Sequence, residues 1–326
     1  MEYLCFLALS DCLQIREKHR LCDWAYIQML QQMSESIFGK NTNEAMLLMA
    51  YVYCQTGYKM RLAINGEKLH MLFASDHIIY DWNYFILDDE KYYMFNNKTG
   101  SIKICRQAYP KEQSMSLMIS DEPLFEMQPT TSKHQSKIHE DMQISISGNK
   151  NLLDFYTTYP TSMIGDNFVS RWAMYANAPM PKHIKKEVYP QITTGIQGCD
   201  QLTAVNKILN LIQTGFVYEY DDKVWGYDRA FFPEESMHYP YCDCEDRSIL
   251  FTRIVRDLLG LKCMLIYYPG HLASAVAFTE AKPTGDYIEY DNQRFFITDA
   301  TILCGAPVGL TMRDMNNQAA KVIVLE

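Results

Sequence analysis

Three residues in the last third of the chain have types suited to nucleophilic catalysis, namely Cys244, His271 and Asp299. Cys244 precedes a segment with helical spacing, His271 follows a Pro-Gly turn, and Asp299 ends a strand-like segment. They lie far apart along the chain, so only folding could bring them together. An imidazole can activate a thiol, and a carboxylate on its other nitrogen fixes the tautomer. The pattern indicates a Cys-His-Asp triad.

The charges near Cys244 pull the ionisation of its thiol in two directions. A free thiol has a pKa of about 8.5, and a helix N-terminus or a nearby imidazolium favours the thiolate. Asp243, Glu245 and Asp246 oppose ionisation, because they surround the sulfur with negative charge. The hypothesis therefore requires His271 to lie close to the sulfur.

Two further features qualify the assignment of the nucleophile. Cys242 lies two residues before Cys244, but we prefer Cys244 because it adjoins the predicted helix. The backbone N–H of Cys244 is a plausible oxyanion donor.

The predicted helix over residues 245–259 is the clearest in the chain, since Leu250, Ile254 and Leu258 form one apolar stripe and Gly260 follows. A second helix is predicted over 200–216. Four strands are predicted after the helix at 245–259, over 263–268, 272–278, 286–290 and 294–299.

A loop rich in aromatic and acidic residues separates these two helices. Trp225 and Tyr241 are candidates for the wall of a substrate cleft or for an oxyanion donor. Plain packing against the sheet is the alternative. Aspartates in EYDD at 219–222 could suggest calcium, and His238 with the two nearby cysteines could suggest zinc. We favour a solvated turn and a catalytic thiol over these, because the ligand spacings are poor.

The two ends of the chain resemble each other. TGYKMRLAI resembles LGLKCMLIY and KYYMFN resembles RFFITD, so that Gly57 matches Gly260 and Lys91 matches Arg294 at one constant offset. The upstream helices match at a smaller offset, with Leu30 opposite Leu209, so the aromatic and acidic loop is extra in the second copy. This pattern predicts a duplication.

The same constant offset places Asn41 and Asn96 at the positions of Cys244 and Asp299, and His70 near that of His271. The first copy is therefore predicted to be non-catalytic. Replacement of His70 is expected to leave activity intact.

The remaining segments complete a three-part prediction. Helices are predicted over 21–38 and 43–55, with strands over 59–64, 70–75, 78–87 and 91–96. In the middle of the chain, SMSLMIS (114–120) and MQISIS (142–147) alternate as strands do, QPTTSKHQ (128–135) is polar enough for a loop, and AMYANAPMPK (173–182) is typical of a linker. The predicted domains are a degenerate copy at 1–105, a β-rich module at 106–172 and a catalytic domain at 173–326.

Composition excludes several classes of protein. The chain of 326 residues has a net charge of −9, which argues against nucleic acid as a partner. No apolar run approaches the roughly 18 residues of a membrane span. The ten cysteines are expected to be mostly reduced core thiols. The first ten residues make a weak signal peptide at best, so Met1 as the true start would indicate the cytoplasm, whereas removal of a leader would allow the cell envelope.

The Cys, His and Asp segments together resemble the transglutaminase-like superfamily. These segments are YCDCEDRSILFTRIVRDLLG, YYPGHLASAVAF and FFITDAT, and the similarity to bacterial proteins of the Bacteroides type covers about residues 170–326. The resemblance implies an α+β fold with a papain-like core, in which the helix bearing the cysteine packs on an antiparallel sheet. It implies Cys244 as nucleophile, His271 as general base and acid, and Asp299 as the orienting residue. It implies a peptide or protein substrate and neither a metal nor an organic cofactor.

The reaction itself stays open between several alternatives. Leu272 and Ala273 follow His271 where many members of the superfamily carry an aromatic residue, which leaves the acyl-acceptor side undetermined. With water as acceptor the protein would be a cysteine peptidase or amidase, and with a lysine amine it would be a transglutaminase. We favour hydrolysis, because the sequence reveals no acidic groove that would guide an amine. A non-catalytic scaffold that binds peptide or glycopeptide is the competing class.

Overall fold

The computed structural model describes residues 2–96, 101–312 and 315–326 and has an α+β fold, as predicted. In the described part, ten α-helices occur: α1 Glu2–Lys18, α2 Asp23–Phe38, α3 Asn43–Gln55, α4 Lys150–Tyr156, α5 Ser170–Asn177, α6 Lys182–Gly195, α7 Gln201–Gly215, α8 Asp221–Val224, α9 Pro233–His238 and α10 Cys244–Leu259. The strands in the first half are β1 Met60–Asn65, β2 Lys68–Ala74, β3 His77–Ile79, β4 Tyr84–Leu87, β5 Glu90–Met94, β6 Lys103–Ile104, β7 Pro129–Gln135, β8 Gln143–Asn149 and β9 Ser162–Ile164. Those in the second half are β10 Val217–Tyr218, β11 Tyr241–Cys242, β12 Cys263–Tyr268, β13 His271–Val276, β14 Tyr287–Tyr290, β15 Gln293–Thr298 and β16 Lys321–Val324.

The chain forms two compact units. Unit 1 comprises residues 1–125 and 159–168, and unit 2 comprises 126–158 and 169–326. Residues 106–172 do not form a unit of their own, because they are divided between these two. None of the described helices has the length and apolar character needed to cross a membrane.

Unit 1 is built on a five-stranded antiparallel sheet of order β4-β5-β2-β1-β6. Helix α3 packs on β2 and β1, and α2 packs on α3. The side chain of Thr42 accepts a hydrogen bond from the backbone N–H of Ala45 and so caps α3. Apolar residues of α2, α3 and β2 that face one another are buried, which fixes the helices against the sheet.

Unit 2 is built on a five-stranded antiparallel sheet of order β14-β15-β13-β12-β16. Helix α10 packs over β12 and β13, and α7 lies beside α10. Asp243 caps the start of α10, and Gly260 ends it in the left-handed conformation at a φ of 65°. The β7–β8 hairpin packs against α6 and α7.

The two sheets share one register, and its offset is the constant one that relates the matched segments of the sequence. Met60 pairs with Phe73 as Cys263 pairs with Val276, and the β4–β5 and β2–β5 pairings repeat in β14–β15 and β13–β15. The pairing of Asn65 with Lys68 corresponds to that of Tyr268 with His271. The core of the predicted duplication is therefore a repeated sheet.

The register corrects one sequence-based position. Lys68 occupies the place of His271, whereas His70 corresponds to Ala273. The loop between the two strands has the same length in both copies, so the constant offset holds across it and His70 lies two residues beyond the position of His271.

Three local predictions in the middle of the chain were wrong. Residues 129–135 form β7 rather than a loop, because the side chains that face inward are polar and hid the alternation. Residues 114–120 form no strand and contribute only an isolated bridge at Met115. The predicted linker at 173–182 contains most of α5, whose Trp172 and Tyr175 are buried, while its two prolines follow the helix.

Two histidines in the first half of the chain are buried. His134, which lies in the segment predicted to be a loop, is buried, stacks on Phe216 and hydrogen-bonds to the carbonyl oxygens of Met237 and Gly215. His77 is buried as well.

Candidate active site

The N-terminus of α10 positions Cys244, which is the first residue of the helix. The Asp243 side chain accepts from the backbone N–H of Glu245 at 3.2 Å, and the Asp246 side chain accepts from the backbone N–H of Asp243 at 3.3 Å. This reciprocal cap fixes the helix start. Asp246 also accepts from the backbone N–H of Phe231 at 2.8 Å, so the loop that precedes α9 is attached to the same point.

Strand β13 faces the first turn of α10. Ser248, four residues after Cys244 and thus on the same helix face, donates to the carbonyl oxygen of Leu272 at 3.0 Å. The backbone of Leu272 also lowers the pKa of the Cys244 thiol, against the larger causes that raise it. The first turn of α10 therefore packs on the strand that begins with His271.

His271 and Asp299 form a buried pair. Nε2 of His271 lies 3.1 Å from Oδ2 of Asp299, and both side chains are almost fully enclosed. Oδ1 of Asp299 accepts from the backbone N–H and the hydroxyl of Thr301, at 3.0 and 2.5 Å. Burial acts to raise the pKa of Asp299, but the hydrogen bond and charge of His271 and the two hydrogen bonds of Thr301 hold that pKa below its usual value. Asp299 is therefore an anion oriented toward the imidazole.

The structure thus brings His271 and Asp299 together. It places Cys244 at the start of the helix that packs on β13, the strand that begins with His271. Among the described residues, no hydrogen bond joins the Cys244 sulfur to His271. The thiol instead donates to Oε2 of Glu245 at 3.3 Å.

The environment of Cys244 disfavours its thiolate. Burial raises the pKa of Cys244 well above its usual value, and the charges of Glu245 and Asp243 raise it further. The expected lowering by the helix N-terminus does not prevail, because the desolvation cost and two adjacent carboxylates outweigh a partial charge. Cys242 is fully buried, which raises its pKa to about 12. Cys244 remains the more accessible of the two sulfurs.

Acidic side chains cluster around Glu245. Oxygen atoms of Asp221, Asp228 and Glu245 lie within 4.8 Å of one another, and the Cys244 sulfur lies within the same distance of oxygen atoms of Asp243 and Glu245. Arg171 lies 2.9 Å from Asp228 and 3.6 Å from Glu245, so a guanidinium already neutralises part of this charge. We therefore assign no cation to either set.

Asp221 differs from the solvated turn expected for EYDD. It is buried and accepts from the backbone N–H of Arg229 at 2.8 Å. Burial raises the pKa of Asp221 to about 7.

The two aromatic candidates lie in the segment between α7 and α10. Trp225 contacts the rings of Phe231 and Tyr239, at centroid distances of 5.7 and 5.0 Å. Tyr241 lies in β11 opposite Val217. Within the described residues, no hydrogen bond or ring contact connects either side chain to Cys244 or His271.

Sequence reasoning missed Tyr218, whose ionisation is coupled to the charge of Cys244. Burial raises the pKa of Tyr218, and the charges of Cys244 and Asp243 raise it further. Its hydroxyl therefore keeps its proton and can act as a hydrogen-bond donor. Tyr218 follows Phe216 and Val217 directly after α7, and nothing in the spacing of these residues distinguishes it from its neighbours.

A buried clamp that the sequence also did not reveal holds the backbone around Asp299. The Gln213 side chain donates to the carbonyl oxygens of Asp299 and Ala306, at 2.8 and 3.2 Å. Arg247, which is fully buried, donates to the carbonyl oxygens of Ala300 and Phe216, at 3.3 and 3.0 Å, and to that of Gln213. Side chains of α7 and α10 thus hold the backbone that directly follows β15.

Comparison of the chain with protein-family models, curated proteins and solved structures finds no match in any of the three.

Proposed function

We propose that unit 2 is a thiol-dependent acyl-transfer enzyme that acts on amide bonds, with Cys244, His271 and Asp299 as its catalytic residues and a papain-like core. The observation that carries the proposal is the buried pair of His271 on β13 and Asp299 after β15, at 3.1 Å, on the sheet against which the first turn of α10 packs. An isolated buried imidazole-carboxylate pair has a structural use as well, but here the helix that packs on β13 begins with a cysteine.

The hydrogen bond to Asp299 assigns a role to each ring nitrogen. Asp299 accepts from Nε2–H of His271, which leaves Nδ1 as the basic nitrogen. In the proposed reaction Nδ1 takes the proton of the Cys244 thiol as the sulfur attacks the substrate carbonyl. The tetrahedral intermediate collapses, the C–N bond breaks, and the amine leaves with that proton. Water then attacks the thioester, and a carboxylic acid and the free thiol result.

The raised pKa of Cys244 favours general-base catalysis over a preformed ion pair. A protonated thiol at rest loses its proton only when the carbonyl is in place. Tyr218 is a candidate oxyanion donor for this reaction, since its hydroxyl stays protonated and the charge of Cys244 acts on its pKa.

A lysine amine is the alternative acceptor, which would make the protein a transglutaminase. The cluster of Asp221, Asp228 and Glu245 favours this alternative, because anions near the thioester would attract a cationic amine. The competing class, a peptide-binding scaffold, draws support from the raised pKa of Cys244. We favour hydrolysis, because water needs no dedicated binding site.

Mass spectrometry of a peptide library separates these outcomes. The intact protein is incubated with the library, with and without a primary amine such as cadaverine. Hydrolysis gives cleaved or deamidated peptides, and transglutamination gives amine adducts. Cys244→Ala should abolish either product, whereas Cys304→Ala, which removes an exposed thiol elsewhere, should leave it unchanged. Absence of any product, or equal product from Cys244→Ala, would contradict the proposal.

A further inference from the structure

A single residue, Thr301, makes both hydrogen bonds to Oδ1 of Asp299. Its hydroxyl donates at 2.5 Å and its backbone N–H donates at 3.0 Å. The first distance is at the short end of the range for a hydroxyl that donates to a carboxylate, whereas the second is ordinary for an N–H donor. Both residues are buried, so the hydroxyl of Thr301 is a close and enclosed contact of this carboxylate.

These contacts determine how the Asp299 carboxylate is rotated. Donors to a carboxylate oxygen lie near the carboxylate plane, so the donors of Thr301 on Oδ1 and the imidazole of His271 on Oδ2 fix that plane. The backbone of Asp299 is held separately, because the Gln213 side chain donates to its carbonyl oxygen at 2.8 Å. Thr301 therefore fixes the plane of the carboxylate, and Gln213 fixes the position of its backbone.

The orientation of His271 depends in turn on this carboxylate. Nε2 of His271 lies 3.1 Å from Oδ2 of Asp299, and across the described part of the chain no hydrogen bond to Nδ1 of His271 is found. The imidazole also lies nearly parallel to the Tyr268 ring at a centroid distance of 6.4 Å, but that contact does not distinguish the two ring nitrogens. The carboxylate of Asp299 therefore decides which nitrogen carries the proton.

We propose that Thr301 is a positioning residue, whose hydroxyl fixes the plane of the Asp299 carboxylate and thereby holds the proton of the neutral His271 ring on Nε2. Its catalytic meaning rests on the acyl transfer proposed above, in which Nδ1 must be free to accept the proton of the Cys244 thiol. Without the hydroxyl, the carboxylate turns, its bond to Nε2–H weakens, and the proton moves in part to Nδ1. A proton on Nδ1 blocks the nitrogen that acts as the base.

NMR of the full-length protein, labelled with ¹⁵N in its histidine rings, tests this without substrate. Spectra are recorded at about pH 9, where imidazoles are neutral, and the signals of His271 are those absent from His271→Gln. We expect only the Nε2–H tautomer in the unchanged protein. Thr301→Val keeps the backbone N–H but lacks the hydroxyl, and it should show a mixture of both tautomers. Thr301→Ser, which restores the hydroxyl, should return to the single tautomer.

Thr252→Val is the matched control for the loss of a buried hydroxyl. Thr252 is fully buried in unit 2, but its hydroxyl donates to the carbonyl oxygen of Ile249 within α10. This variant should keep the single tautomer of His271, and circular dichroism checks the fold of each variant. The single Nε2–H tautomer in folded Thr301→Val overturns the proposal, and so does a mixture in folded Thr301→Ser or Thr252→Val.

Kinetics on a peptide that the library identifies as a substrate give a second readout. Thr301→Val should lower kcat by at least about tenfold, because a hydrogen bond to a charged group contributes about that factor, and should change KM less than twofold, because Thr301 acts through Asp299. An unchanged kcat overturns the proposal. The tautomer is read without turnover, so the two proposals fail separately. A tautomer mixture in Thr301→Val with no turnover by the unchanged protein supports positioning by Thr301 and contradicts the acyl transfer.

Discussion

The reactivity of Cys244 depends on the balance between its neighbours rather than on its place at a helix N-terminus. The residue types and their order were enough to predict that His271 and Asp299 meet. The sequence also showed that Glu245 and Asp243 oppose ionisation. It could not show that the thiol would be largely enclosed and would donate to Glu245, because burial depends on how α10 and β13 pack. Desolvation is a property of the folded state alone.

Replacement of Glu245 by glutamine is expected to make Cys244 more reactive. Burial is the larger cause of the raised thiol pKa, but the change removes the negative charge that raises it further, so more thiolate is present at a given pH. Each unit by which the pKa falls gives about tenfold more thiolate, and we expect alkylation by iodoacetamide to accelerate by about threefold to tenfold at about pH 8. Peptide mass spectrometry measures the rate at Cys244 as a function of pH.

Asp222→Asn serves as the control for this charge effect, because Asp222 is exposed and lies in the same acidic segment. Its rate of alkylation should stay within twofold of that of the unchanged protein. A rate at Cys244 that is unchanged or slower in Glu245→Gln would show that Glu245 does not control the ionisation of the thiol.

At the scale of elements, the start of α10 was predictable, but the electrostatic cost of burying its capping carboxyl was not. The helix stripe and Gly260 identified the element within one residue. Asp243 caps the helix, yet burial and then the charges of Asp246 and Glu245 raise its pKa well above the usual value. Ionisation of the buried cap therefore costs stability, which the sequence could not indicate.

Asp243→Asn is expected to stabilise the protein at neutral and alkaline pH. The folded-state pKa of Asp243 lies above its unfolded value of about 3.9, so its contribution to stability is complete below that pH and is lost as the pH rises. Asparagine caps helices equally well and does not titrate. The advantage of the variant should grow from about pH 4 to about pH 8, by at most about 1.4 kcal/mol per pH unit. Urea denaturation at a series of pH values measures it, and an advantage that shrinks with rising pH would contradict the argument.

The Gln213 clamp illustrates what periodicity cannot reveal. A glutamine on the buried face of α7 interrupts the apolar stripe from which a helix is predicted. Its partners Asp299 and Ala306 lie far along the chain. The same reason hid β7, whose inward-facing Ser132 and His134 are polar and bond to backbone carbonyl oxygens. Buried polar groups that find distant partners disrupt the patterns from which elements are predicted.

Gln213→Ala is expected to reduce the free energy of unfolding by about 2–4 kcal/mol, because it leaves buried backbone groups of Asp299 and Ala306 without their partner. Gln201→Ala is the matched control on the same helix. Gln201 bonds to Thr279 and Glu280 in an exposed position, so its loss should cost less than about 1 kcal/mol. Urea denaturation at neutral pH compares the two variants. Equal losses would show that the clamp does not hold the end of β15.

At the scale of the whole molecule, repetition was visible in the sequence but the division of the chain was not. Short similar segments of sequence were enough to find the constant offset between the two copies. Strand register is set by the local alternation of side chains and by turn length, and these segments contain both. The middle of the chain lacked such a pattern and was assigned to a separate module. In the structure its β7–β8 hairpin supplies part of the core of unit 2, while residues 159–168 supply β9 to unit 1.

A fragment that begins at the predicted boundary, residue 173, is therefore expected not to fold, whereas residues 126–326 should fold. The shorter fragment lacks β8 and the residue before it, so it loses Met142, Ile144 and Ile146, which are buried in one cluster with Ile184 and Val188 of α6. Loss of these side chains removes burial worth about 1.5–3 kcal/mol for each, against a total stability of about 5–15 kcal/mol for a domain. Thermal unfolding followed by circular dichroism should be cooperative for 126–326 and absent for 173–326, which should also bind a hydrophobic dye. Cooperative unfolding of 173–326 at the same temperature would show that the hairpin is dispensable and that the boundary at 173 is the physical one.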